Sequence, residues 1–260
     1  MKRILGRSLL MLLAVVIGSA GMKWMIDGDR IAHASSLGWH QLARNSAEIL
    51  PVTSDHEAAV VMVLAAPTYG WRGYFAVHPW IIYKEAGKSE YERFEVMRWG
   101  GGDSVVRRNR AQPDAYWFGA RPEVLAQVVG PQAQALIEPI RQAIQSYPYH
   151  GVYRTFPGPN SNTFLAHIGR EVPELGLDLP PTAIGKDYRP LTDPIGRPPS
   201  GSGIQVSVAG LFGLIASPQE GLEINILGLG IGVDVTCPAI RLPFVGRLAT
   251  TGTTHAEHCV

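Results

Sequence analysis

Apolar runs separated by short polar segments fill the first half of the chain. Residues 58–66, AAVVMVLAA, are an uninterrupted apolar run rich in β-branched side chains, which predicts a buried strand. Residues 73–84 and 91–100 are aromatic and β-branched runs on either side of the polar segment EAGKSE. This arrangement predicts a β-hairpin.

Helical periodicity follows, between residues 121 and 147. Apolar residues there recur every three or four positions, as one buried helix face requires: Leu136, Ile140, Ile144 and Tyr147. Gly130 and Pro131 divide the region into two predicted helices, and Pro139 is expected to kink or interrupt the second. A short amphipathic helix is also predicted at residues 35–49.

A further helix is predicted to begin near Ser161, after the segment PGPNSNTF at residues 157–164. Asn, Ser and Thr are the residues that cap a helix N-terminus. Phe164, Leu165 and Ile168 then share the face of Ser161, whereas His167 projects elsewhere.

The chain returns to strand patterns after a Pro- and Gly-rich surface loop at residues 186–203. Residues 203–245 form a predicted β-rich extension, and residues 246–260 a predicted flexible tail. The apolar positions change phase at Ile226 and Leu227, which predicts a β-bulge. Beyond it three glycines share one face, where either tight sheet packing or a lipid or glycan fits: Gly228, Gly230 and Gly232.

The N-terminus has a different composition. Lys2, Arg3 and Arg7 precede an uncharged run at residues 8–22, which is typical of an export signal or an N-terminal anchor. As a helix this run measures roughly 22 Å, shorter than the roughly 30 Å of a hydrocarbon core. Residues 1–22 are therefore interpreted as a signal peptide or membrane anchor, and the protein as exported, either periplasmic or anchored facing the periplasm.

Composition indicates one globular domain at residues 35–245. The 29 glycines and 20 prolines favour turns and strands, so we expect an α+β fold with a mostly antiparallel sheet packed against helices. A net charge of +1 argues against nucleic acid as a partner. The two cysteines, Cys237 and Cys259, could form a disulfide in an oxidising compartment. No metal or cofactor site is predicted.

One serine and one histidine are the candidates for catalysis. Ser161 lies at the positive end of a predicted helix dipole, where several hydrolases place a nucleophile. His78 interrupts an apolar strand and could serve as its base, although a structural histidine has the same pattern. The next predicted strand offers Glu92 and Glu95 to orient the imidazole, and Glu95 is selected.

Polar and aromatic side chains near these residues are candidates for substrate binding. Asn160 and Asn162 could bind a substrate amide, although both are also ordinary capping residues. Six aromatic residues could line a cleft for a glycan or acyl chain, although aromatic residues are also ordinary core material: Trp71, Trp80, Trp99, Tyr147, Tyr149 and Tyr153.

The order of these elements resembles a known architecture. A strand bearing HPW, a second strand, helices, and a helix start N-x-N-T-F are similar to the circularly permuted papain-like fold of NlpC-type cell-wall peptidases and lecithin:retinol acyltransferases. That resemblance covers residues 58–173, and it implies a nucleophile at Ser161 and a base at His78. Serine replaces the cysteine of those families, and this exchange commonly silences a Cys–His site.

A more specific resemblance involves the segments GWRGYFAVHPWI, YERFEVMRWG, PGPNSNTF and AIGKDY. Together they look like a bacterial family catalogued as domain of unknown function 3750, which implies no activity. The leading hypothesis is an envelope hydrolase or transferase acting on amide or ester bonds of peptidoglycan or lipid. The alternatives are a non-catalytic module that binds an envelope small molecule, glycan-peptide or lipid, and a structural membrane-associated protein.

Overall fold

The described residues form two antiparallel sheets and three α-helices. The structure is a computed structural model that describes residues 2–51 and 57–249. The helices are α1 (Lys2–Ser36), α2 (Pro131–Gln145) and α3 (Ser161–Glu171), and the fold class is α+β as predicted. The strands in chain order are β1 (Val60–Pro67), β2 (Val77–Lys84), β3 (Glu92–Val96), β4 (Val106–Arg108), β5 (Glu123–Val129), β6 (Ile195–Gly196), β7 (Ile204–Val208), β8 (Phe212–Ser217), β9 (Gly221–Ile226), β10 (Leu229–Asp234), β11 (Ala239–Leu242) and β12 (Gly246–Ala249).

The first sheet has the order β4-β3-β2-β1-β5 and holds the core on both of its faces. Side chains alternate along β1, so Val61 and Val63 face α2 and α3 while Met62 and Leu64 face the opposite layer. The predicted strand at residues 58–66 and the hairpin of β2 and β3 are both confirmed.

Helix α2 confirms the predicted apolar stripe, and Pro139 lies inside it without ending it. The helix predicted before Gly130 is wrong, because residues 123–129 form β5 at the sheet edge. The sequence EVLAQVV is rich in valine, and pairing with β1 outweighs its helical spacing.

The helix predicted at residues 35–49 is also wrong beyond Ser36, where α1 ends. The Asp114 carboxylate accepts hydrogen bonds from the Ser46 hydroxyl at 2.9 Å and from the Ile49 backbone N–H at 3.1 Å. These long-range bonds hold the segment in an irregular conformation against the sheet.

The second sheet, in the order β12-β11-β10-β9-β8-β7-β6, is a meander that corresponds to the predicted C-terminal extension. The predicted bulge is wrong. Leu227 and Gly228 are the two central residues of a tight hairpin turn, with φ of 52° and 83°, and this turn changes the phase of the pattern. Gly230 and Gly232 face the packed side, where added Cβ atoms would overlap neighbouring atoms of β9. Residues 246–249, predicted as tail, form β12.

Buried ion pairs fix this sheet to the rest of the domain. The Arg241 guanidinium, fully buried on β11, donates to Asp178 at 2.8 Å and to Glu223 at 2.6 Å. Lys186 pairs with Glu223 at 2.8 Å. Because each charge has an opposite partner, the polar side of the sheet is able to face inward.

Helix α1 is longer than the predicted segment 1–22. Residues 6–36 include a window apolar enough to cross a membrane, which is compatible with a signal sequence or a membrane anchor. Its C-terminal half contacts the 3₁₀ helix Gly70–Tyr74, where Ile31 and Ala34 are buried and the Tyr69 hydroxyl donates to the Leu37 carbonyl at 3.2 Å.

Cys237 is disulfide-bonded, so it is not a free thiol. Its predicted partner Cys259 lies outside the described residues, as does the predicted tail beyond residue 249.

Candidate functional site

The start of α3 is fixed by a capping box. The side chain of Asn160 accepts hydrogen bonds from the backbone N–H groups of Asn162 at 2.9 Å and Thr163 at 3.2 Å. The Thr163 hydroxyl accepts from the Asn160 backbone N–H at 3.1 Å. This reciprocal pairing places Ser161 at the first position of the helix, as predicted.

The two asparagine amides also hold the helix start against its neighbours. Asn160 Nδ2 donates to the carbonyls of Thr155 and Ile184, both at 3.0 Å. Asn162 Nδ2 donates to the same Ile184 carbonyl at 2.8 Å and to the carbonyl of Val77 at 3.2 Å. Asn162 Oδ1 is buried without a hydrogen bond to any described residue, so one acceptor of the helix start is unsatisfied.

His78 is held by a buried carboxylate. Its Nε2 lies 2.8 Å from Glu95 Oε2, and Arg93 donates to both oxygens of that carboxylate at 2.9 and 3.0 Å. The indole of Trp117 stacks on the imidazole at 3.9 Å between ring centroids. The predicted His78–Glu95 contact is therefore present, with Arg93 and Trp117 as two partners that sequence reasoning missed.

The pKa values of this pair favour a neutral imidazole beside an ionised carboxylate. Burial lowers the pKa of His78 below its usual 6.5, although Glu95 opposes the shift. Burial alone would raise the pKa of Glu95, but hydrogen bonds from His78 and the charge of Arg93 outweigh it and lower this pKa to about 2. With Nε2–H donated to Glu95, Nδ1 is the unprotonated nitrogen of His78.

Ser161 and His78 border the same cleft, which has a volume of about 640 Å³. No hydrogen bond joins their side chains, and the Ser161 hydroxyl makes none with the described residues. Strand alternation explains the separation: His78 pairs with Ala66 on the sheet face that Trp117 covers, whereas α3 packs on the other face. The cleft reaches both residues by passing around the first residue of β2.

The cleft collects some of the predicted binding residues and not others. Asn160, Asn162 and Tyr153 line it. Trp80 does not, because it is fully buried beneath the Arg93 guanidinium, with its indole N–H donated to the Pro113 carbonyl at 2.8 Å. Tyr149 lies behind the cleft, packed against Tyr147 and Tyr188.

The remaining wall is aromatic and apolar, and it includes Trp71 and Trp99, two of the tryptophans expected to line a cleft, together with residues that sequence reasoning missed. Its main contributors are Trp71, Phe75, Trp99, Phe156, Leu227 and Phe244. Arg72 and Arg98 also line the cleft, both exposed, and neither guanidinium forms an ion pair or hydrogen bond with a described residue. His167, predicted to project away from the face of Ser161, forms a hydrogen bond with the Ala143 carbonyl and does not line the cleft. Among the described residues no cluster of metal-ligating side chains is present.

Comparison with protein-family models gives one match. The model described as Protein of unknown function (DUF3750) matches residues 58–188, half of the chain. The chain belongs to the DUF3750 family. The DUF3750 match runs from the residues before β1 to Tyr188 and so contains Ser161, His78 and Glu95, whereas β6 to β12 lie outside it. No curated protein and no solved structure matches the chain.

Proposed function

We propose that this DUF3750 protein binds an amphiphilic molecule of the cell envelope in its aromatic cleft, while α1 anchors it to the cytoplasmic membrane with the domain in the periplasm. The cleft carries the proposal. Its volume of about 640 Å³ lies within the roughly 300–1,000 Å³ of small-molecule sites, and aromatic side chains dominate its wall.

Charge at the cleft specifies the ligand further. Arg72 and Arg98 have no acidic partner among the described residues, so their guanidiniums are available to a phosphate or carboxylate. An apolar wall beside two free cations fits a lipid, or a lipid-linked glycan-peptide, with an anionic group. The basic residues before the apolar part of α1 favour a cytoplasmic N-terminus and thus a periplasmic domain.

Binding of a fluorescent lysophosphatidylglycerol to the purified protein tests this proposal. We expect saturable binding that Arg72→Gln and Arg98→Gln each weaken about tenfold, since a charge-assisted hydrogen bond contributes about 1.5–3 kcal/mol. Arg108→Gln is the matched control, because Arg108 is exposed outside the cleft and pairs with Glu92. Equal affinity in all three variants, or competition by soluble muropeptides but not by lipid, would contradict the proposal.

Hydrolysis of an amide or ester bond is the second candidate function. The neutral His78 and the unbonded Ser161 hydroxyl in one cleft favour it. In that reaction Ser161 Oγ bonds to the carbonyl carbon, its proton passes to His78 Nδ1, and the leaving group departs with that proton before water releases the acyl group. The missing hydrogen bond between the two side chains means that substrate binding has to bring them together.

A serine-reactive fluorophosphonate separates the two functions. Hydrolysis predicts labelling of the wild type that both Ser161→Ala and His78→Ala abolish, with Ser146→Ala as the control at an exposed serine on the end of α2. No labelling of the wild type, or labelling that persists in both variants, leaves ligand binding as the function of the cleft.

A further inference from the structure

The outward face of the second sheet is entirely apolar. Cross-strand partners form three rows across it. The rows are Ile204, Ala216, Leu222, Val233, Ile240 and Leu248; then Ile195, Val206, Leu214, Ile224 and Ile231; then Val208, Phe212, Ile226 and Leu229. Most of these side chains are 37–57% exposed. No polar side chain interrupts the rows.

The inward face of the same strands is mostly polar, with Ile215 and Ala239 as its buried apolar side chains. Gln205, Ser207, Glu223, Asn225 and Arg241 all point to the interior and are at most 4% exposed. A solvated sheet normally has the opposite arrangement, with apolar residues inward and polar residues outward. The sheet is therefore inverted, and its ion pairs and hydrogen bonds replace the usual apolar contacts beneath it.

We propose that this outward face lies on the lipid bilayer, with its aliphatic side chains in contact with acyl chains. The six strands β7 to β12, at about 4.8 Å spacing and roughly 17 Å in length, give a projected area of about 500 Å². Apolar patches of this size mark interaction surfaces. Interfaces between proteins are only about 56–65% apolar, whereas a lipid-facing surface has no need of polar groups.

The position of α1 supports the bilayer as the occupant. The exposed apolar side chains of α1 continue through Trp24, Met25 and Ile26. At the same level Lys23 and Asp27, paired at 2.6 Å, turn toward the domain and line a cavity of about 650 Å³ together with residues 245–247 and 249. The apolar part of α1 therefore ends beside β12, the edge strand of the inverted sheet. A membrane that contains the apolar part of α1 therefore lies next to the β12 edge of this sheet.

Site-specific photocrosslinking on the full chain tests the proposal. The photoreactive amino acid p-benzoylphenylalanine replaces Ile224 in one variant and Ile240 in another, on two different strands of the outward face. Gln132, exposed on α2, is the control position. Each protein is reconstituted into vesicles of phosphatidylethanolamine and phosphatidylglycerol, irradiated and analysed by mass spectrometry. Because both outward positions are about half exposed, the probe does not disturb the core.

We expect lipid adducts at positions 224 and 240 to exceed those at position 132 several-fold. A covalent dimer formed through position 224 or 240 in place of lipid adducts would overturn the proposal, since it would show a second copy packed face to face on the sheet. Adducts no more frequent than at position 132 would also overturn it, because the face would then lie away from lipid. The ligand of the cleft plays no part in this measurement, so its outcome is independent of the proposed function.

Discussion

Replacing Glu95 with glutamine removes the charge that organises the His78 cluster. The shift of the Glu95 pKa from 4.5 to about 2 corresponds to about 3 kcal/mol of folding free energy, at about 1.36 kcal/mol per pKa unit. Since folding lowers this pKa, the contribution is complete above pH 4.5 and is lost as the pH falls toward 2. Glutamine also leaves the Arg93 guanidinium buried without its counter-charge.

We therefore expect Glu95→Gln to lower the free energy of unfolding by about 3–5 kcal/mol at pH 7, the usual cost of breaking a buried ion pair. The difference from wild type should shrink at pH 3, which lies between the ordinary and the lowered pKa of Glu95, so that the wild type has already lost more than half of this contribution. Urea unfolding in detergent at both pH values, followed by tryptophan fluorescence, measures both quantities.

Glu92→Gln is the matched control on the same strand. Glu92 is partly exposed and pairs with the exposed Arg108 at 2.8 Å, so its loss should cost at most about 1 kcal/mol. A loss under 1 kcal/mol for Glu95→Gln, or a loss that is equal at pH 7 and pH 3, would refute the reasoning.

Three further predictions concern the start of α3, the C-terminal half of α1 and His78. Gly185→Ala should lower stability by about 2 kcal/mol more than Gly87→Ala in thermal unfolding, because both residues have positive φ but only at Gly185 would the new methyl group overlap a side-chain amide. Ile31→Ala should cost about 2–4 kcal/mol and Ile26→Ala almost nothing, since only Ile31 is buried against the domain; equal costs would mean that α1 does not dock there. In an NMR titration the His78 imidazole should protonate with a midpoint below pH 6.5, and a midpoint above 6.5 would contradict the reasoning. Because folding lowers this pKa, its contribution to the free energy of unfolding should be complete above pH 6.5 and should decrease as the solution is acidified.

The local pattern of the sequence was enough to place the hairpin and the start of α3, and through them His78 and Ser161. The register of β2 and β3 distinguishes Glu95 from Glu92, and the sequence does not show that register. Glu92 pairs with Tyr83 on the face that the helices cover, whereas Glu95 lies on the same face as His78. Trp117 comes from an irregular loop, and no periodicity links it to the site.

Long-range pairing accounts for the errors. The apolar spacing of the valine-rich β5 segment fits a helix as well as a strand. Its hydrogen bonding to β1, which is distant in sequence, makes it a strand. Local patterns also could not predict that the second sheet is inverted. Alternation of apolar and polar residues identifies the two faces of a sheet, but not which face packs against the domain. Which face packs inward depends on long-range ion pairs such as that between Arg241 and Asp178, which are 63 residues apart in the sequence.

The wall of the cleft combines residues inside and outside the region that the family model matches. The candidate reactive groups lie inside residues 58–188, whereas Leu227, Leu229 and Phe244 come from β10 and from turns of the second sheet, beyond the family match. Substitutions at these three positions would therefore reshape the apolar wall and leave His78, Glu95 and Ser161 unchanged. If the cleft binds the proposed ligand, its selectivity can be altered from the C-terminal meander alone.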